Sequence, residues 1–295
     1  MAKNILFVDD EPNILRGLRR SLRSMRGEWE MEFAGSGEEA LQKISSGEVD
    51  LLVTDMRMPG MDGLELLRRV TETRPDIIRM VLSGQARKEA IMGIFSAAHQ
   101  FLSKPCQADV LKKKVSRIMN SRNLVSDGQL ASRIAGADPL SVVNSNLSAF
   151  IDETGKEKPG PEVIQGLVGR DTAMAAYFLK SAGSGFFGDM SGENKINNIM
   201  DSLGPEIIRD LVVEYRVFSA FSENSREDQL AAGISEHSIR VSELAARIAR
   251  EEGCGPEVVN DSETAGFLHD MGINIFLSYN DVVSDVQVLA DEWSS

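Results

Sequence analysis

Histidine and cysteine, the side chains that most often hold transition metals or do thiol chemistry, are nearly missing: three His and two Cys in 295 residues. Three histidines exclude a His-rich binuclear metal centre. Cys106 and Cys254 stand far apart and form no Cys-x-x-Cys pair, so they read as reduced, structural or incidental thiols of a cytoplasmic protein. No apolar stretch approaches the roughly 18–20 residues needed to cross a bilayer, and no membrane partner is expected. Asp9 and Asp10 fall within the first ten residues, which speaks against a signal peptide. Internal repeats and low-complexity tracts are lacking as well. Positive charge is scarce in one part of the chain only. Residues 1–120 carry 19 Lys and Arg against 17 Asp and Glu, whereas residues 121–295 carry 13 against 28. The second part therefore holds the excess behind the formal charge of −13 and offers no basic face, so no nucleic-acid partner is expected.

What the chain does have centres on residues 50–63. An apolar run, Leu51 to Val53, stops at Asp55, and Met-Pro-Gly-Met-Asp-Gly follows at 58–63. A short apolar run closed by turn residues suits a strand buried on both faces, with Asp55 at its carboxyl end. The preceding residues fit the same scheme. Asn4 to Val8 read as a strand ending at Asp9-Asp10-Glu11, and Pro12 opens a helix with Leu15, Leu18, Leu22 and Met25 on one face. Trp29, Met31 and Phe33 alternate with Glu28, Glu30 and Glu32, the period of a strand with one wetter face, hence a sheet edge. Ser36 and Glu39 have the spacing of a helix cap. After Asp55 come a helix from about Asp62 to Thr73, a strand over Ile77–Leu82 ending at Ser83-Gly84, and another helix. A short strand, His99–Leu102, then ends at Ser103-Lys104-Pro105, and a last helix carries Val110, Leu111, Val115 and Ile118. Five strands alternating with five helices imply an α/β fold with a five-stranded, parallel, doubly wound sheet.

In such a sheet Asp9, Asp10, Asp55, Ser83 and Lys104 all lie at strand carboxyl ends, which converge on one edge. Three carboxylates invite a divalent cation, and oxygen-only ligands suit Mg2+. A metal beside a nucleophilic carboxylate, with a lysine and a hydroxyl in reach, is equipment for forming an aspartyl-phosphate. Lys104 would neutralise phosphoryl charge and Ser83 would donate to a phosphoryl oxygen.

Residues 1–121 resemble the receiver domain of two-component response regulators, through Asp9-Asp10, Asp55 with Met-Pro-Gly-Met-Asp-Gly, Ser83-Gly84 and Lys104-Pro105. The resemblance implies a flavodoxin-like fold, Asp55 as phospho-acceptor and Asp10 as a direct Mg2+ ligand, with Asp9 acting through water. It adds the backbone carbonyl of Arg57 as a metal ligand and makes Ser83 and Phe101 the switch pair. It also implies a histidine kinase or small phosphodonor as partner, and a homodimer through the last receiver helices.

Residues 122–138 read as a connector that could form a short helix. Residues 139–295 read as a second, all-α domain. Leu140, Val143 and Leu147 are helically spaced, Ala173–Ala182 is strongly apolar, and helices follow over Asn197–Leu203 and Pro205–Phe218. His237 opens a long amphipathic helix and residues 262–269 form another, ending at His269-Asp270. Adjacent His-Asp with an earlier His resembles HD-type metal hydrolases, which makes His237, His269 and Asp270 a candidate second metal site. Hydrolysis there needs a further carboxylate and a lysine. Ile273 stands where the lysine is expected, and Asp281, Asp285 and Asp291 are the remaining nearby acids, so a transition metal is not expected. The same half resembles the non-catalytic HDOD (HD-related output) domain through residues 171–188, 199–204, His237-Ser238 and 266–272. Domains of that kind usually run further, which implies an output truncated at Ser295. The expectation is a response regulator whose HDOD-like output contacts a downstream protein. The alternative is a receiver-gated HD-type phosphohydrolase or cyclic-dinucleotide phosphodiesterase.

Overall fold

The computed structural model describes residues 3–84, 97–123, 140–182, 208–213 and 216–278, without the side chains of Ser83, 121–123 and 180–182. The chain divides near residue 136 into two compact units. The first unit holds β1 (Lys3–Val8), α1 (Pro12–Ser21), β2 (Trp29–Ala34), α2 (Gly37–Ser46), β3 (Leu51–Thr54), α3 (Gly63–Thr73), β4 (Ile78–Ser83), β5 (Gln100–Ser103) and α4 (Ala108–Asn123). The helix expected between β4 and β5 lies outside the described residues, as does the connector from residue 124 on.

All five strands pair in parallel in the order β2-β1-β3-β4-β5, with β2 at an edge as its alternation predicts. Side-chain alternation splits the core in two. Leu6, Val8, Leu52 and Val81 pack with Ala40 and Ile44 of α2 and with Leu66, Leu67 and Val70 of α3. Ile5, Phe7, Leu51, Val53, Met80 and Leu82 pack on the other face with Leu18, Leu22, Leu111, Val115 and Met119. Each fully buried aliphatic side chain stabilises the fold by about 1.5–3 kcal/mol. Helices on both faces make the sheet doubly wound. Ser36 caps α2 by accepting from the Glu39 N–H, and Glu39 returns a bond to the Gly35 N–H.

One residue of β4 departs from the apolar reading of that strand. Arg79 is 1% exposed. Its guanidinium is tolerated there because it donates to the carbonyls of Ala97 (2.9 Å), Ile77 (3.1 Å) and Pro75 (3.3 Å) and lies against the His99 ring. A buried cation is stable only when its donors are satisfied. Here they tie the start of β4 to the approach of β5.

The second unit is mostly helical: α5 (Asn144–Thr154), α6 (Pro161–Gly169), α7 (Thr172–Ala182), α8 (Arg226–Glu251), α9 (Pro256–Leu268) and α10 (Met271–Leu277). It also has a two-stranded parallel ladder, β6 (Leu140–Val142) with β7 (Phe218–Ala220). Leu140 and Phe218, read from the sequence as helical, are strand residues. Three-residue strands are too short to display a period of two, and the 3,4 spacing of Leu140, Val143 and Leu147 coincides with a helical one. His237 does not open its helix either. α8 begins eleven residues earlier, where Ser225 accepts from the Asp228 N–H at 3.1 Å. The expected Asn197–Leu203 helix, the 183–188 and 199–204 stretches, and Asp281, Asp285 and Asp291 lie outside the described residues. No described helix is long and apolar enough to cross a membrane.

Polar side chains stitch this unit together. Asp171 is 2% exposed and accepts from the N–H groups of Val143, Ala173 and Met174 at 2.9–3.0 Å, fixing the start of α7 to the end of β6. Burial pushes its carboxyl pKa up, against these donors and the Asn146 side chain, which pull it down. A carboxyl with a folded pKa above its unfolded value of about 3.9 binds its proton more tightly in the fold. Its contribution to stability is therefore largest below that unfolded value. It declines as the pH rises towards the raised folded pKa, then stays level. Urea melts across this range should show that slope in the wild type and lack it in Asp171→Asn.

Candidate functional site

The parallel register brings the predicted residues to one edge. Val8 pairs with Thr54, so Asp9 and Asp55 leave adjacent strands side by side, and the Asp55 N–H donates to Val8 O at 2.9 Å. Ser83 pairs with Ser103, which sets Lys104 just beyond the end of β5. Lys104 Nζ donates to Asp9 Oδ2 at 2.7 Å and to Asp55 Oδ1 at 2.6 Å. The other oxygens are also held. Asp9 Oδ1 accepts from the Glu11 N–H at 2.9 Å and Asp55 Oδ2 from the Arg57 N–H at 2.6 Å. The side chains of Asp9 and Asp55 are 5% and 11% exposed, that of Lys104 20%. Burial works to lower the Lys104 pKa, but the hydrogen bonds to Asp55 and Asp9 outweigh it and hold the ammonium above the usual lysine value. Cys106, two residues on, has its thiol pushed up by burial, consistent with an inert, half-buried sulfur.

The loop after β3 is built to return onto Asp55. Met56, Met58 and Met61 are buried in the α2–α3 face of the core. Gly60 has φ +77°, open to glycine at no steric cost. Asp62 caps α3 by accepting from the Glu65 N–H at 2.8 Å. Gly63 passes so close to the strand end that a Cβ there would lie 2.1 Å from Asp55 O and 2.8 Å from Met56 Cα. Gly63→Ala must push backbone against backbone. It should cost at least about 3 kcal/mol, the upper end for overpacking, read as a lowered urea midpoint of the first unit.

The set fits Mg2+ on its own chemistry. Every donor is oxygen: the carboxylates of Asp9 and Asp55, the half-buried Asp10 beside them, and the Arg57 carbonyl in the adjoining loop. Asp9, Asp10 and Asp55 carry more negative charge than the Lys104 ammonium that bridges two of them offsets, which suits a divalent cation. Two contacts add to the sequence expectation. Asp9 touches Lys104 directly, and Arg57 serves Asp55 through its N–H. The Phe101 ring is 4% exposed, inside the core. The Ser83 side chain lies outside the description, although β4 carries the residue to this edge. The Lys104–Pro105 peptide bond is cis. Nothing in the sequence flagged the close approach at Gly63 beyond its place in a turn cluster.

In the second unit, His237 of α8 meets His269 and Asp270 at the α9–α10 junction. Asp270 Oδ2 lies 3.0 Å from His269 Nε2 and 3.6 Å from His237 Nε2. Among the described residues, this is the group of three His, Cys or acid side chains whose ligand atoms fall within 4.8 Å of one another.

A family model described as the HDOD domain matches residues 140–291, just over half of the chain. The chain belongs to the HDOD family. HDOD domains are typically non-catalytic, and the His237–His269–Asp270 cluster does not establish a hydrolase. Ahead of the HDOD domain, the response regulator receiver domain model matches residues 5–116. This HDOD protein is 34% identical over 149 residues to the response regulator MprA of Mycobacterium ulcerans, covering 50% of this chain and 60% of that one. It is 31% identical over 137 residues to the C4-dicarboxylate transport transcriptional regulatory protein DctD of Rhizobium meliloti, covering 46% and 29%. The chain thus spans 60% or less of the length of these curated relatives. Among solved structures, it is similar to the response regulator TrrA of Thermotoga maritima in complex with Mg2+–BeF. That match has 36% identity, a TM-score of 0.36 and coverage of 39% and 97% of the two chains. The architecture is a receiver domain of phospho-regulated signalling followed by a typically non-catalytic HDOD output.

Proposed function

We propose that Asp55 accepts a phosphoryl group and that its phosphorylation controls the HDOD output, which acts by contacting a downstream protein. The observation that carries this is the strand-end carboxylate Asp55, held by Lys104 and the Arg57 N–H with Asp9 alongside. These contacts orient the nucleophile before any donor arrives, the positioning on which phosphoryl transfer depends. One carboxylate oxygen of Asp55 forms the new P–O bond. The bond from phosphorus to the donor breaks, and the leaving group departs with its electron pair: the imidazole of a phosphohistidine takes up a proton, whereas an acyl phosphate leaves as its carboxylate. Lys104 stays charged and neutralises phosphoryl oxygens, and Ser83 donates its hydroxyl to one of them. Asp9, Asp10, Asp55 and the Arg57 carbonyl would hold Mg2+, which when bound supplies positive charge against the phosphoryl oxygens. Water later attacks phosphorus and returns the carboxylate with inorganic phosphate. Phe101, whose ring sits inward beneath this edge, completes the switch with Ser83.

The donor is a histidine kinase, or a small acyl phosphate in its place. The test is incubation of the full chain with acetyl phosphate, with Mg2+ or with EDTA, followed by assay of hydroxylamine-labile phosphate. Mg2+-dependent labelling supports the reading, and equal labelling in EDTA contradicts it.

A further inference from the structure

β2 leaves one side of the receiver sheet unpaired. The strand order puts it at the end, with β1 as its only neighbour. The Lys3 N–H donates to Glu28 O and the Asp9 N–H to Ala34 O, so the even-numbered residues here turn their N–H and C=O groups towards β1. Trp29, Met31 and Phe33 therefore turn theirs outward, where nothing among the described residues bonds them. Such a row of unpaired backbone groups is a template for another strand.

The flanks of this edge are cationic. A cleft of about 420 Å³ runs along it, bordered by Arg19 and Arg26 on the side of α1 and by Lys43 of α2 on the other. Lys43 is engaged by Glu32 at 3.1 Å. The arginines have no such partner. Arg19, Arg20, Arg23 and Arg26 are exposed, and among the described residues no carboxylate pairs with any of them. The Arg19 guanidinium lies 4.5 Å over the centre of the Phe33 ring, which holds one of these charges beside the open backbone.

Possible occupants differ in fit. A nucleotide needs a free aromatic face on which to stack, but Trp29 is buried and the Phe33 ring already carries Arg19 and, at 5.4 Å, Phe7. A second copy of β2 pairing antiparallel sets Glu30 against Glu32, and like charges directly opposite one another are destabilising. An extended acidic segment satisfies both the free backbone groups and the unpaired arginines. We propose that the open edge of β2 takes up such a segment of a partner protein as a further strand. The backbone of the segment bonds Trp29, Met31 and Phe33, and its acidic side chains, at every second position, meet Arg19 and Arg26. The positions between them face Glu30 and Glu32 and are neutral or basic. This surface belongs to the receiver unit and rests neither on the phosphorylation of Asp55 nor on the HDOD output.

The test uses the full chain and a fluorescent peptide of about six residues that alternates Glu and Thr, read by anisotropy. Saturable binding that weakens with salt is expected. Arg19→Glu combined with Arg26→Glu turns two attractions into repulsions at exposed positions and should weaken binding at least about tenfold. N-methylation of the peptide at alternate residues separates strand addition from simple charge attraction. In one phase the methyl groups replace the donors that face β2 and binding should be lost; in the other they face solvent and binding should persist. Met31→Pro removes an outward N–H and none of those shared with β1, and should lower affinity as well. Should that variant not fold, the two methylated peptides decide the matter on the wild type. No saturable binding, equal binding of both methylated peptides, or binding undiminished by the double charge reversal overturns the proposal. So does a concentration-dependent dimer that Met31→Pro dissolves, which would give the edge to a second copy of the chain.

Discussion

Asp55→Asn should take up no hydroxylamine-labile phosphate from acetyl phosphate and Mg2+, under conditions that label the wild type. The substitution keeps the shape of the side chain and can still accept from the Arg57 N–H, so the strand end is preserved. What it removes is the anionic oxygen that must attack phosphorus. An amide is a poor nucleophile, and the expected effect is loss of labelling to background. Asp9→Asn, in contrast, should slow labelling without abolishing it, because Asp9 borders the reacting oxygen and does not supply it. Equal labelling of wild type and Asp55→Asn would move the acceptor elsewhere.

The second large effect concerns stability. Lys104 is the cation that bridges Asp9 and Asp55, and both carboxylates are nearly buried. Lys104→Met retains most of the side-chain volume but leaves two close carboxylates without their counter-charge. Removing one partner of a buried ionic group costs about 3–5 kcal/mol. The receiver unit of Lys104→Met should therefore unfold at clearly lower urea, and Mg2+ should restore part of the difference by meeting the same oxygens. In the wild type, the raised Lys104 pKa keeps this stabilisation complete below the unfolded lysine value of about 10.4. It is lost only as the pH rises through the still higher folded value. A Lys104→Met protein as stable as wild type in EDTA would show that the bridge contributes nothing.

The receiver edge was legible in the sequence because parallel strands buried on both faces write themselves as apolar runs, and each of these runs ends at a polar residue with work to do. Asp9, Asp55 and Lys104 could be placed on one edge from that pattern alone. Their pairing could not. Whether Lys104 reaches Asp9, Asp55 or both depends on the path of a side chain beyond the strand end, and the structure shows both. Arg79 was hidden for a related reason. A single charged residue in a buried strand reads as an exception until the carbonyls that satisfy it are in place. In the HDOD half, β6 and β7 are three residues each, too short for a period, so Leu140 and Phe218 were absorbed into helical spacing. His237 and His269 stand 32 residues apart in sequence, and no local pattern measures how closely two helices cross. That distance is set at Gly266, whose missing side chain lets α9 lie against the backbone of α8. The same feature makes the His237–His269–Asp270 junction a product of packing, where the Asp55 edge is a product of topology.

The central claim is that Asp55 is the residue that carries the phosphoryl group. The most direct measurement is to label the full chain with acetyl phosphate and Mg2+, trap the acyl phosphate by borohydride reduction, and map the modified residue by peptide mass spectrometry. The expected result is a single reduced site at residue 55, absent when Mg2+ is withheld. Modification at another carboxylate, or none under conditions where phosphate is incorporated, would contradict it.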